Sequence, residues 1–289
     1  MNSTFTIRSA LADANLGAAV AAYGNLALVG APSRAGQAQL VRLDTGETSH
    51  LLVSPEPSPN AHFGSAVAMQ PVGARNIYLV VGASGVSNDQ GAAFIFFMLH
   101  ADAPPRFTLK LTASDAAAEQ FFGSAAAMHG GRVVIGARGR PFGFGANGAA
   151  YVFDVVTGVQ LAKLTPRQRD GTLPVASCFW FGASLAITSD AILVGAPKAR
   201  SPCARSSLAG AAFLYEQRHN YRQGALIMPE DYRQGAMFGS SVAIHNRVDG
   251  SGSSVLIIGS PQHSTQGRVY TIGPFDLRNL PTAFNAVAA

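Results

Sequence analysis

Three stretches in the middle of the chain combine basic and aromatic side chains. They read "RGRPFGFGAN", "PRQRDGTLPVASCFW" and "KARSPCARSS", and they hold seven of the 21 Lys and Arg residues and the only tryptophan. Arginine beside aromatic rings is the composition of a recognition surface. The predicted ligand- or partner-binding residues are Arg138, Arg140, Phe142, Phe144, Arg167, Arg169, Trp180, Lys198, Arg200 and Arg205.

Three interpretations of these residues stay open. They form a site for an acidic protein surface, a site for an anionic glycan on whose rings Trp180 and the phenylalanines stack, or a solvated basic rim that keeps the protein in solution. The formal net charge is +5, and 21 basic residues in 289 are too dilute to indicate nucleic acid. Only 13% of residues are charged, about half the usual fraction.

The sequence offers little for catalysis. It contains no Gly-x-Ser-x-Gly, His-Glu-x-x-His, P-loop or Cys-x-x-Cys motif. His129 and His245 occupy the same place in two repeats, which indicates a turn position rather than a pair of ligands. We therefore expect a non-enzymatic protein without a cofactor, while an enzyme such as a lyase or hydrolase remains the third hypothesis.

A repeat positions these residues. A Phe-Gly pair, a run of small residues and an apolar stretch ending in Gly-Ala or Gly-Ser recur at intervals of about 47 to 59 residues. The copies begin near Leu16, Phe63, Phe122, Phe181 and Phe238.

Each copy reads as four short strands. In the third copy these are "SAAAMH", "RVVIGA", "GAAYVFDV" and "VQLAKLT", bounded by turn residues. Four antiparallel strands in such a period predict one blade of a β-propeller. We expect an all-β, single-domain chain (residues 1–289) that forms a five-bladed propeller of four-stranded antiparallel blades.

Within a blade, small residues suit the crowded inner strand, and the second strand should be buried on both faces. Each Phe should wedge between adjacent blades, with its Gly allowing a tight start to the first strand. The fifth copy lacks a fourth strand, and residues 5–9 resemble one. We expect this N-terminal strand to complete the last blade and close the ring.

The loop before the first strand and the loop between the second and third strands should lie on one face of a propeller. This places the basic stretches of the third and fourth copies together. Cys178 and Cys203 fall in two such loops of the fourth copy, and a disulfide between them is the prediction. If it forms, it indicates an oxidising compartment. Two free thiols are the alternative.

The alternation of Phe-Gly with Gly-Ala-Pro resembles FG-GAP repeats, the blade motif of integrin α-subunit heads and of many bacterial and algal surface proteins. The residues that carry it are Phe63-Gly64 with Gly82-Ala83, Phe122-Gly123 with Gly136-Ala137, Phe181-Gly182 with Gly195-Ala196-Pro197, Phe238-Gly239 with Gly259-Ser260-Pro261, and the divergent Leu16-Gly17 with Gly30-Ala31-Pro32. The resemblance covers essentially the whole chain and implies a propeller that mostly binds other molecules.

The chain departs from this family at the loop where many FG-GAP blades hold calcium through an Asp-x-Asp-x-Asp-Gly motif. Only the fifth copy keeps part of it, as Asn246, Asp249 and Gly250, with one carboxylate. We therefore expect no metal site.

We expect a binding or scaffold propeller that mediates protein–protein interaction through one loop face, with a lectin-like module for anionic or surface glycans as the alternative. Its partners should be an acidic protein surface or an anionic glycan, and a role as one subunit of a larger assembly stays open. We expect neither nucleic-acid binding nor membrane insertion. The family resemblance implies an extracellular or cell-surface location. The apolar stretch Leu16 to Ala31 aligns with the other copies, so we read it as structure and not as a signal peptide.

Overall fold

The computed structural model describes residues 15–73, 75–140, 148–166, 178–200, 208–231, 233–246, 253–276 and 283–286. Strands dominate, with a one-turn helix α1 (Val86–Asp89) and a 3-10 turn (Gln217–His219). The backbone divides into two compact units: Met1–Val133 with Asp154–Val159, and Val134–Phe153 with Gln160–Ala289. Within the described ranges, no helix is both long enough and apolar enough to cross a bilayer.

Two four-stranded antiparallel sheets lie in the first unit. The first sheet has the order β1-β2-β3-β4, with β1 Ala19–Tyr23, β2 Leu26–Ala31, β3 Gln37–Arg42 and β4 Thr48–Leu52. The second has the order β5-β6-β7-β8, with β5 Phe63–Val72, β6 Asn76–Ala83, β7 Ala92–Met98 and β8 Arg106–Leu111.

The third sheet has the same strand order and reproduces the strands expected from the third copy. Its strands are β9 Phe122–His129, β10 Arg132–Ala137, β11 Ala149–Asp154 and β12 Gln160–Leu164. Apolar alternation and glycine punctuation are local signals, so these bounds could be read from the sequence.

A two-stranded ribbon and the fourth sheet belong to the second unit. The ribbon pairs β13 (Cys178–Phe179) with β16 (Lys198–Ala199). The fourth sheet contains β14 Ser184–Ile187, β15 Ala191–Ala196, β17 Ala211–Glu216, β18 Arg222–Pro229 and β22 Ala283–Ala286. Strand β22 pairs with β18 in parallel, so this sheet has a fifth strand that the repeat pattern did not predict.

The fifth sheet consists of β19 Ser241–Asn246, β20 Ser253–Ser260 and β21 Arg268–Asp276. The prediction that each second strand is buried on both faces holds for β2, β6, β10 and β15 but is wrong for β20, whose burial alternates. Ile257 in β20 is 38% exposed and Val269 in β21 is 55% exposed, because no described element covers that face. Residues 5–9, predicted to complete this sheet, lie outside the described residues.

Successive sheets within each unit bury their apolar faces against one another. In the first unit, Leu28 and Leu40 of the first sheet share a cluster with Phe63 and Phe94 of the second. In the second unit, the fourth sheet packs on one side against residues of β10, β11 and β12. It also packs against the fifth sheet. The four Phe-Gly phenylalanines are completely buried, as expected for wedges between sheets: Phe63, Phe122, Phe181 and Phe238.

The glycines of the repeat face one another across neighbouring copies. A Cβ added to Gly82 would lie 2.0 Å from the carbonyl oxygen of Gly123, the Phe-Gly glycine of the next copy. Gly123 has φ +91° and would itself place a Cβ 2.3 Å from the oxygen of Ala92. The same carbonyl of Gly123 accepts a hydrogen bond from Ser65 Oγ at 2.9 Å. Glycine is needed on both sides because two backbones meet there.

Candidate functional site

A hydrogen-bonded turn precedes every Phe-Gly pair and places Trp180 in the fourth copy. The residue before the pair has positive φ and its carbonyl accepts the amide three residues later, as in Trp180 (φ 61°) with Ala183 N at 3.1 Å. The other residues at this position are Asn15, His62, Phe121 and Met237. Left-handed backbone is uncommon for such side chains, so the surrounding structure fixes the conformation. No shared residue type marks this position in the sequence, so it was not predicted.

Two cations contact the indole of Trp180. Lys198 Nζ lies 3.9 Å from the ring centroid and Arg138 Cζ lies 5.2 Å from it. Both distances are within the range of cation–π attraction. Trp180 and Arg138 are half-buried, and burial lowers the pKa of the Arg138 guanidinium from its usual value. Trp180 therefore holds two of the predicted binding residues together.

The elements explain why these three residues meet. Arg138 directly follows β10, Trp180 directly follows β13, and Lys198 begins β16. The β13–β16 ribbon pairs Phe179 with Lys198, so the loop before the first strand is hydrogen-bonded to the loop after the second. The expected proximity of these two loops in the fourth copy is confirmed. The ribbon itself was not predicted, because two-residue ladders leave no periodic signal.

Charge on the surrounding segments has one sign. We call residues 138–140 and 198–200, with Trp180, the basic loop surface; its segments carry four basic residues and no acidic residue. Arg140 and Arg200 are exposed, whereas Lys198 is half-buried under its contact with Trp180. The surface can therefore offer exposed guanidinium groups next to cations that the indole already positions.

The remaining predicted residues do not all fall within the described chain. Phe142, Phe144, Arg167, Arg169, Cys203 and Arg205 lie outside the described residues. The backbone of Cys178 pairs with Ala199, but the disulfide to Cys203 stays a prediction.

Metal binding has no support from the described part of the chain. Those residues contain no group of three or more His, Cys, Asp or Glu side chains arranged to hold a metal ion. Of the partial calcium motif, Asn246 lies in β19, and Asp249 and Gly250 are outside the described residues.

A second polar cluster, which was not predicted from the sequence, lies beside the fifth sheet. Asp231 accepts hydrogen bonds from Tyr270 Oη at 2.7 Å and from Arg268, and His263 Nε2 lies 3.0 Å from its carboxylate. Asp231 stands seven residues before Phe238, as Asp115 does before Phe122, so the repeat offset was the available signal.

Comparison with known proteins supports the repeat and the fold. Residues 106–153 match the FG-GAP repeat family, which confirms the resemblance drawn from the Phe-Gly pairs. These residues run from the start of β8 to within β11. The search of curated proteins found no match.

Many solved structures are similar to the chain, among them the following two. The first, titled "Structure of U3-55K", has a TM-score of 0.55 and 14% identity, and the match covers 93% of this chain and 66% of that one. The second, the computationally designed Ika4 protein, has a TM-score of 0.43 and 18% identity, with coverage of 69% and 96%. At 14% identity the likeness to the first shows a shared all-β, propeller-like fold and nothing about function.

Proposed function

We propose that this chain is a non-enzymatic binding or scaffold protein that holds an acidic protein partner on the basic loop surface. The observation that carries the proposal is the contact of Trp180 with both Lys198 and Arg138. A cation whose position is fixed before binding loses less conformational entropy when a partner arrives.

Charge and composition support a protein partner with an acidic surface. Arg140 and Arg200 extend the surface with exposed positive charge. Arginine and tryptophan are enriched where partners bind most tightly. Opposite charge on the partner would raise the association rate and would exclude basic partners.

The glycan alternative is weaker at Trp180. A sugar that stacks on the indole needs a free ring face, and Lys198 lies only 3.9 Å from the ring centroid. An anionic glycan would therefore bind through the exposed arginines and not by stacking on this ring.

The finer architecture also belongs to this proposal. We propose that the five sheets are the blades of one propeller and that residues 5–9 complete the fifth, which has three described meander strands where the others have four. The open edge at β21 supports the idea, since sheet proteins cover or close such edges.

The experiment compares a double variant with a matched control. The variant Arg140→Glu with Arg200→Glu reverses two exposed charges on the basic loop surface. The control Arg106→Glu with Arg222→Glu reverses two exposed charges at the starts of β8 and β18. Binding of a fluorescent polyglutamate peptide and of heparin is measured by anisotropy at low and high salt. We expect the first pair to weaken peptide binding about tenfold or more and high salt to do the same, because exposed charges are screened.

The outcomes separate the candidates. The control pair should stay within about twofold of the wild type. Equal loss in both pairs, or no loss in the first, would contradict a localised acidic-partner site. Selective binding of heparin with no peptide binding would favour the glycan alternative.

A further inference from the structure

A cleft of about 600 Å³ lies in the second unit, between the loop that precedes β19 and the turn that joins β20 to β21. Its lining residues are Glu230, Asp231, Arg233, His263, Ser264 and Arg268. The volume is in the range of small-ligand sites. None of these residues belongs to the basic loop surface.

The Asp231 carboxylate joins several of the lining residues to one another. It accepts hydrogen bonds from the phenol of Tyr270 at 2.7 Å and from the guanidinium of Arg268, and His263 Nε2 lies 3.0 Å from it. Tyr270 is fully buried and the His263 side chain is only 4% exposed. Because one carboxylate contacts Tyr270, Arg268 and His263, it fixes the positions of all three side chains.

Backbone contacts hold the two sides of the cleft together. Gln262 N donates to the carbonyl of Ala236 at 3.2 Å, and Ser260 Oγ donates to the same carbonyl at 2.8 Å. His263 Nε2 also lies 3.0 Å from the Asp231 carbonyl oxygen, so this nitrogen has two oxygen acceptors on one residue. The other ring nitrogen, Nδ1, is buried and has no hydrogen-bond partner among the described residues. The cleft is thus preformed, with one polar atom unsatisfied.

Two charged side chains that line the cleft have no polar partner among the described residues. The side chains of Glu230 and Arg233 are exposed, and neither forms an ion pair or hydrogen bond with a described residue. Asp231 and Arg268 already compensate each other. What remains is one negative and one positive group, so an anion would leave Glu230 unpaired and a cation would leave Arg233 unpaired.

We propose that this cleft binds the zwitterionic head of a free amino acid. The ligand carboxylate pairs with Arg233, and the ligand ammonium group pairs with Glu230. Arg268 has donors beyond the one given to Asp231, and Ser264 adds a hydroxyl group, so the site has further partners for the carboxylate. This site is independent of the partner-binding function proposed above.

The first experiment screens the twenty free L-amino acids against the full chain. Each is added at about 10 mM, and the shift in melting temperature is recorded, since a ligand that binds the folded state stabilises it. The best ligand is then compared by calorimetry with its N-acetyl form, which lacks the ammonium group, and with its amide, which lacks the carboxylate. We expect each blocked form to bind at least about tenfold more weakly than the free amino acid.

Two variants assign the charges. In Arg233→Gln the preference for the free amino acid over its amide should fall severalfold, with Arg268 and Ser264 left as partners for the carboxylate. In Glu230→Gln the free amino acid and its N-acetyl form should bind equally. Arg222→Gln and Glu47→Gln, at exposed positions elsewhere, should leave both preferences intact. The proposal is overturned if no amino acid shifts the melting temperature, if blocked forms bind as well, or if the variants keep the wild-type preferences.

Discussion

At the scale of single residues, close contact between the backbones of neighbouring copies requires the glycines of the repeat. The Phe-Gly glycine of one copy and the Gly-Ala glycine of the preceding copy face each other in both units, as with Gly123 opposite Gly82 and Gly239 opposite Gly195. A serine of the preceding copy donates to the same carbonyl, Ser184 Oγ to Gly239 O at 2.8 Å. A side chain at either glycine would separate the sheets.

This contact predicts the effect of adding one methyl group. Gly123→Ala should destabilise the protein by about 3 kcal/mol or more, because its Cβ meets the backbone of Ala92 in addition to the cost of positive φ. Gly130→Ala is the control: Gly130 also has positive φ, but nothing lies within 4 Å of its added Cβ. We expect a loss of about 1 kcal/mol there. Urea unfolding measures both, and equal losses would refute the steric explanation.

At the scale of elements, the loop before β19 is joined to β21 by Asp231. Its carboxylate accepts hydrogen bonds from Tyr270, on the strand's buried face, and from Arg268, at the strand's start. The phenol ring of Tyr270 also packs edge-on against Phe238, with 5.1 Å between centroids. One strand thus contributes Tyr270 to the core of the fifth sheet and Arg268 to the lining of the proposed cleft.

The buried phenol predicts a loss of stability in alkali. The pKa of Tyr270 is raised above its ordinary value of 10.0, mainly by burial and secondly by the hydrogen bond to Asp231. The folded state therefore keeps the proton at a pH where the unfolded chain releases it, so the stabilisation is complete below pH 10 and declines as pH rises above it.

Urea unfolding across this pH range tests the assignment to Tyr270. Tyr270→Phe should cost about 2 kcal/mol near neutral pH, because it removes a hydrogen bond to a carboxylate. The variant should then lose stability less steeply than the wild type above pH 10. If the two proteins decline in parallel, Tyr270 is not the responsible group.

At the scale of the whole molecule, the fifth sheet differs from the others in its exposure. Val269 is 55% exposed on a face that the other sheets bury, and β21 has no outer neighbour among the described residues. Exposed apolar sheets and open edges promote association. The proposed fourth strand at residues 5–9 would pair with this edge.

Proline placed within that segment tests closure. Ile7→Pro removes a backbone donor from the proposed strand and should destabilise the chain by about 2 kcal/mol or more. It should also increase binding of an apolar dye and promote dimers, as judged by sedimentation. Asn2→Pro, outside the strand, should behave as the wild type. An unaffected Ile7→Pro variant would show that residues 5–9 do not complete the sheet.

Much of the architecture could be predicted because its signals are local. The strand "RVVIGA" is β10, from Arg132 to Ala137, and the wedge residues Phe63 and Phe181 are fully buried. Periodic apolar residues and glycine turns act within a few positions of themselves. The basic stretches were also visible, and Arg138, Trp180 and Lys198 do come together.

The sequence by itself determined the all-β class, the repeat and its strands, since these follow from short-range patterns. Only the tertiary structure decided that Lys198 covers the ring of Trp180, that β22 pairs in parallel with β18, and that Asp231 gathers His263, Arg268 and Tyr270. Each of these contacts joins residues far apart in the chain, and its geometry depends on how sheets pack. No periodicity records such a contact, because it is fixed by packing and not by the order of neighbouring residues.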